Sequence, residues 1–146
     1  MKKTWVAYTD GSAVPGGLAA GWGAVVLKEG TPQMELQGWE RGRDSAWAEL
    51  MAMWVALAAV PAGARVLIYT DHFPAVEVFG GRGSFHRPDL HELWRSLVDE
   101  AKRRGLRLEL RWRRRMRGRW SRTAHQLANG ARERALGLMG EVAKAA

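Results

Sequence analysis

The chain has 146 residues, 47% of them apolar, and its 23 Lys and Arg outnumber 15 Asp and Glu to give a formal charge of +8 at pH 7. That length predicts one domain, residues 1–146, with a real hydrophobic core, and the apolar fraction and eight Trp argue against disorder. The absence of cysteine excludes disulfides, thiolate metal sites and thiol catalysis, and the four His residues show no metal-site spacing. Neither a signal-length nor a membrane-length apolar run follows Met1-Lys2-Lys3, so a cytoplasmic protein without a membrane partner is expected.

Thr4 to Asp10 is rich in Trp, Val and Tyr and runs into the turn former Gly11, which predicts a first strand. Gly16-Gly17 predicts a loop, Gly21 to Leu27 a second strand, and Gly30 to Pro32 a turn into a third strand over Gln33 to Glu40. Short connections make these three an antiparallel meander. From Ser45 to Val60 the period changes: Ala46, Leu50, Met53, Trp54 and Leu57 recur at helical spacing, with Ser45 as N-cap and Pro61 as the stop. Arg65 to Thr70 is a compact apolar strand, followed by a short helix over Pro74 to Phe79 and a Gly-rich loop over Gly80 to Pro88. Asp89 to Arg104 reads as a helix, Leu106 to Trp112 as an alternating fifth strand, and Arg122 to Val142 as a last helix. The order βββαβαα-β-α predicts an α/β fold with one five-stranded mixed sheet flanked by helices.

Three acids stand where carboxylates are rare. Asp10 ends the first strand, Asp71 follows the fourth, and Glu49 sits on the apolar-rich first helix. If the first and fourth strands are neighbours, the two aspartates meet at one sheet end and the helix between them carries Glu49 to the same point. Converging carboxylates repel one another and are costly to desolvate unless a cation neutralises them. Hard oxygen donors of this kind suit Mg²⁺ or Mn²⁺.

Basic residues concentrate in one segment, with eleven of the 23 between Lys102 and Arg122. There Trp112 and Trp120 are interleaved with Arg113, Arg114, Arg115, Arg117 and Arg119. Guanidinium groups pair with phosphates and indoles stack on bases, so the mixture suits nucleic-acid binding.

The blocks Tyr8-Thr9-Asp10-Gly11-Ser12, Gly21-Trp22-Gly23-Ala24-Val25-Val26, Ala48-Glu49-Leu50-Met51-Ala52 and Ile68-Tyr69-Thr70-Asp71 fall in order on the predicted strand, strand, helix and strand. In order and spacing they resemble the motifs of type 1 ribonuclease H. The resemblance implies a ribonuclease H-like fold and endonucleolytic cleavage of the RNA strand of an RNA–DNA hybrid, leaving 5′-phosphate and 3′-hydroxyl ends. It implies two divalent ions, Asp10 bridging both and Glu49 and Asp71 completing their shells. A monomer with no protein partner is expected. Two other readings stay open: a hybrid- or duplex-RNA-binding module with weakened catalysis, and a related DNA nuclease of the same superfold.

The chain departs from the family on the last helix. The family's fourth acid is an aspartate, whereas the corresponding run here is Ala124-His125-Gln126-Leu127-Ala128-Asn129-Gly130-Ala131, with His125 in its place. A register shifted by one turn puts Asn129 there, but loses the Leu-Ala match and lengthens the preceding loop. With His125 as catalytic and metal ligand, a preference for Mn²⁺ is expected, because imidazole suits Mn²⁺ better than Mg²⁺. Gly16 and Ser45 stand where the family often has Asn, and Gly80 to Pro88 replaces its basic helical protrusion. The arginine segment also replaces a mobile His.

Overall fold

Strands β1 (Thr4–Ala13), β2 (Ala19–Lys28) and β3 (Thr31–Arg41) form the expected antiparallel meander. Helix α1 (Ser45–Ala59) crosses to β4 (Arg65–Thr70), which pairs parallel with β1. Helices α2 (Phe73–Phe79) and α3 (Pro88–Arg103) lead to β5 (Arg107–Trp112), parallel to β4, and α4 (Arg119–Ala145) is the last element. The sheet order is β3-β2-β1-β4-β5. This computed structural model describes residues 4–145, with side chains to residue 138; the basic start Met1-Lys2-Lys3 lies outside the described residues. Among the described residues no helix is long and apolar enough to cross a membrane.

Nine of the ten β2 residues are buried, because helices cover both faces of that strand. On one face Trp22, Ala24 and Val26 join Leu50, Met53 and Leu57 of α1 in the main core, and α3 adds Leu90, Trp94, Leu97 and Ala101 at helical spacing. On the other, α4 presents Ala124, Ala128, Ala131 and Ala135, all fully buried. The fit there is set by glycine. A Cβ on Gly21 would lie 2.4 Å from the Ala128 carbonyl oxygen, and one on Gly23 would lie 2.5 Å from the Ala124 carbonyl oxygen.

Helix α3 clamps both ends of α1. Its N-cap, Arg87, pairs with Asp44 and lies 2.7 Å from Asp89, and its C-cap, Arg104, donates to the carbonyls of Leu57 (2.9 Å) and Val60. Two carbonyls at the C-terminal end of α1 are satisfied in this way.

Most element boundaries shift by one to three residues from the sequence reading, β2 and β3 beginning at Ala19 and Thr31 where Gly21 and Gln33 were expected, and three shifts bear on how the site is built. The N-cap of α1 is Asp44, not Ser45: its carboxylate accepts from Trp47 N at 3.1 Å, and a charged acceptor at this position also complements the helix dipole. Helix α4 begins at Arg119, three residues before the expected Arg122. Strand β1 runs through Asp10 and Gly11 to Ala13, because β2 continues to pair with it as far as Ala13↔Ala20.

The α4 contact yields a first prediction. Gly23→Ala drives a methyl into α4 backbone, so it is expected to cost about 1–3 kcal/mol, the usual range for overpacking. Urea denaturation measures this, and an unchanged midpoint would show that α4 does not lie this close.

Candidate active site

The site lies where the parallel part of the sheet stops. Strand β1 pairs with β4 only as far as Tyr8↔Tyr69, whereas its ladder with β2 carries on through Asp10↔Gly23. Asp71 follows the last residue of β4, and the chain turns there: His72 N donates to Thr70 Oγ1 at 3.0 Å before α2 begins. Glu49 arrives on α1, which approaches β1 so closely that a Cβ on Gly11 would lie 2.4 Å from Glu49 N.

Donor oxygens of Asp10, Glu49 and Asp71 all lie within 4.8 Å of one another. Asp10 and Glu49 are buried and Asp71 is half-buried. Burial pushes the Glu49 carboxyl well above its ordinary value of 4.5, and the charges of Asp10 and Asp71 push it further. Burial also raises Asp71, as does Asp10, while the nearby Arg115 opposes the rise. Glu49 Oε2 is buried without a hydrogen-bond partner. A buried, unpartnered carboxylate oxygen facing two other carboxylates fits a hard divalent cation and little else.

His125 reaches the same site from α4. Its Nδ1 lies 2.6 Å from Asp10 Oδ2, and its Nε2 lies 3.0 Å from Asn129 Nδ2. Both candidates for the fourth position are therefore present, His125 against Asp10 and Asn129 one turn behind it.

The segment after β5 lines the same cleft, with Arg113, Arg114 and Arg115 beside Thr9, Asp10, Thr70 and Asp71. Arg113 differs from its neighbours. Its guanidinium lies over the stacked rings of Tyr8 and Tyr69, at 5.5 and 5.6 Å, and its Nε donates to the Arg117 carbonyl at 2.8 Å. It shapes the loop, and the outward charge comes from the exposed Arg114, Arg115, Arg117 and Arg119, the last over the Trp120 ring. Trp112 is exposed at the end of β5. The Tyr8–Tyr69 platform escaped the sequence reading, although the register partner of each tyrosine is set once β1 and β4 pair. His86 and His91 are exposed and lie away from the acids.

The profile of the RNase H family matches residues 2–78, half of the chain. A ribonuclease H from Acidovorax sp. (strain JS42) is 34% identical over 118 residues, an alignment covering 73% of this chain and 79% of that protein. The chain belongs to the ribonuclease H family. Its type is type 1, as the four ordered motifs implied. A second ribonuclease H, from Chromobacterium violaceum, is 41% identical over 64 residues, covering 44% of this chain and 43% of its own. Among solved structures, an N-terminal RNase H domain from Mycobacterium tuberculosis superposes with a TM-score of 0.83 at 24% identity, covering 94% of this chain and 99% of its own. LC11-RNase H1, solved in complex with an RNA/DNA hybrid, gives a TM-score of 0.77 at 23% identity, with 90% and 99% coverage. These two likenesses are of fold.

The carboxyl shifts of this ribonuclease H set a pH dependence. A carboxyl whose pKa is raised on folding binds its proton more tightly in the folded state, so stability falls as pH rises from the unfolded value through the folded one. Without metal, the protein is expected to lose stability as pH rises above the ordinary Glu49 value of 4.5. Glu49→Gln should remove that part of the slope and stabilise the metal-free protein at neutral pH. Urea melts across pH in chelator decide it: an unchanged slope would show that Glu49 is not held among charges.

Proposed function

We propose that this chain is an endoribonuclease that hydrolyses the RNA strand of RNA–DNA hybrids, leaving 5′-phosphate and 3′-hydroxyl ends, with Asp10, Glu49 and Asp71 holding Mg²⁺ or Mn²⁺. The observation that carries this reading is the convergence of three buried or half-buried carboxylates where the pairing of β1 with β4 stops, beside a cationic loop, in a member of the ribonuclease H family. A hybrid is also the substance with which the structurally similar LC11-RNase H1 was solved.

A divalent cation bound there would supply Lewis-acid stabilisation of charge on the phosphate and a more acidic water. The chain's own residues prepare that place. Asp10 and Glu49 hold their oxygens in a buried position, which excludes bulk water and strengthens their hold on a cation. Arg115, beside Asp71, and Arg114 offer fixed positive charge to a phosphate backbone. His125, on α4, is bonded to Asp10, the carboxylate that the resemblance assigns to both ions.

Labelled RNA–DNA hybrid, RNA duplex and DNA duplex, each incubated in Mg²⁺ and separately in Mn²⁺, test the function. Cleavage of the RNA strand of the hybrid alone is expected, lost on chelation. Asp10→Asn should abolish it while leaving the fold as stable or slightly more so, since one of three repelling charges is gone. Binding without cleavage in either metal would make the chain a binding module, and cutting of the DNA duplex would make it a DNA nuclease.

The cationic loop is tested by salt. Hybrid affinity should fall by roughly 0.9 log unit per log unit of salt for each phosphate neutralised. The double change Arg114→Ala with Arg115→Ala is expected to flatten that slope by about two units. A slope that stays put would leave the loop a solvated surface.

A further inference from the structure

We propose that this chain, free of substrate, holds one divalent ion and not two, because His125 braced by Asn129 fills the place beside Asp10 that a second ion would need. His125 is then a positioning residue for the Asp10 carboxylate and not a metal ligand. The inference rests on the reading above that Asp10, Glu49 and Asp71 hold the first ion.

Distance is the first argument. His125 Nδ1 and Asp10 Oδ2 are 2.6 Å apart. Neighbouring ligands in an octahedral shell of about 2.1 Å radius stand about 3.0 Å apart. A separation of 2.6 Å is a short, charge-assisted hydrogen bond, with no room to share an ion.

The proton is the second. With Asn129 Nδ2 donating to His125 Nε2 at 3.0 Å, a neutral ring carries its proton on Nδ1, aimed at Asp10. A protonated ring nitrogen has no lone pair for a metal. For Nδ1 to ligate, the ring would have to change tautomer and Asn129 would have to turn its amide.

The helix is the third. The backbone of α4 lies against Gly21 and Gly23, so it cannot move inward, and drawing back would open the alanine-lined contact. The helix backbone that carries His125 is thus fixed beside Asp10. Among the described residues, the donors that come within 4.8 Å of one another are those of Asp10, Glu49 and Asp71, and His125 is not among them. A neutral imidazole also lacks the negative charge with which an aspartate at this position would draw a second dication.

Mn²⁺ titration of the substrate-free protein by calorimetry, with electron paramagnetic resonance of unbound Mn²⁺, tests this without activity. Wild type is expected to bind about one Mn²⁺ per chain and His125→Asp about two, the number of a complete two-metal site. In ¹⁵N NMR, His125 should carry its proton on Nδ1 both without metal and in saturating Mg²⁺, and Asn129→Ala should release that tautomer. Two Mn²⁺ on wild type, one on His125→Asp, or migration of the ring proton to Nε2 on adding Mg²⁺ would each overturn the proposal. A wild type that binds no Mn²⁺ would instead overturn the three-carboxylate metal site itself.

Discussion

Helix α4 meets β2 backbone to backbone, and the arrangement of the cleft follows from that contact. Two glycines make it possible. At Gly21 and Gly23 even a methyl would collide with main-chain atoms of Ala128 or Ala124. Each glycine has a polar cross-strand partner on β1: Ser12 opposite Gly21 and Asp10 opposite Gly23. Where β2 offers no side chain, the helix comes near enough to bond the side chain of β1. His125 reaches Asp10 at 2.6 Å and Arg132 reaches Ser12 at 3.0 Å. Small residues on one strand therefore decide which polar groups on its neighbour meet the helix. A core built of large side chains at these positions would have kept α4 some ångströms away and left Asp10 facing water.

Electrostatics oppose that packing. Bringing Glu49 out of water beside two other acids stabilises its neutral form, as the upward shift of its carboxyl shows. Positive charge is arranged to offset this from one side only. Arg115 lowers the rise at Asp71, while Glu49, deeper under β1, has the Gly11 backbone as its favourable partner and a second oxygen with none. The remaining cations stand at the rim, on a loop pinned by Arg113 to the Tyr8–Tyr69 pair. Cations at a rim attract an anionic polymer without neutralising the carboxylates within. One charge pattern thus serves a small cation inside and a polyanion outside.

Element order and the three acids were legible in the sequence because each left a local mark: a change of period at Ser45, a compact apolar run ending at Asp71, and a carboxylate on an apolar helix at Glu49. What could not be read depends on partners distant in sequence. Gly11 looks like a turn former, yet it lies inside β1, and its lack of a side chain admits α1. Asp44 and Ser45 are both good N-cap residues; Asp44 takes the position and is also paired with Arg87, 43 residues away. Arg113 belongs to a run of like residues, and only the pairing of β1 with β4 builds the aromatic surface that singles it out.

The three acids rest on supports of unequal stiffness. Glu49 rides on a helix whose two ends are held by Arg87 and Arg104, the caps of α3. Asp10 lies on the stretch of β1 that pairs with β2 alone, and it is covered by α4 through His125. Asp71 has neither advantage. It follows the last residue of β4, is half-buried, and leads into a seven-residue helix of which only Ala75 is buried, with Phe73 and Phe79 exposed. Few buried contacts mean a low free energy of local opening. The acid with the least support is therefore Asp71 with α2, beside a firmer frame of Asp10 and Glu49. Arg115, whose charge opposes the rise at Asp71, sits on the loop that lines the cleft. Under the proposed function, a phosphate that drew Arg115 outward would remove the charge that opposes the rise at Asp71, coupling the backbone of the substrate to the least supported of the three acids through one arginine.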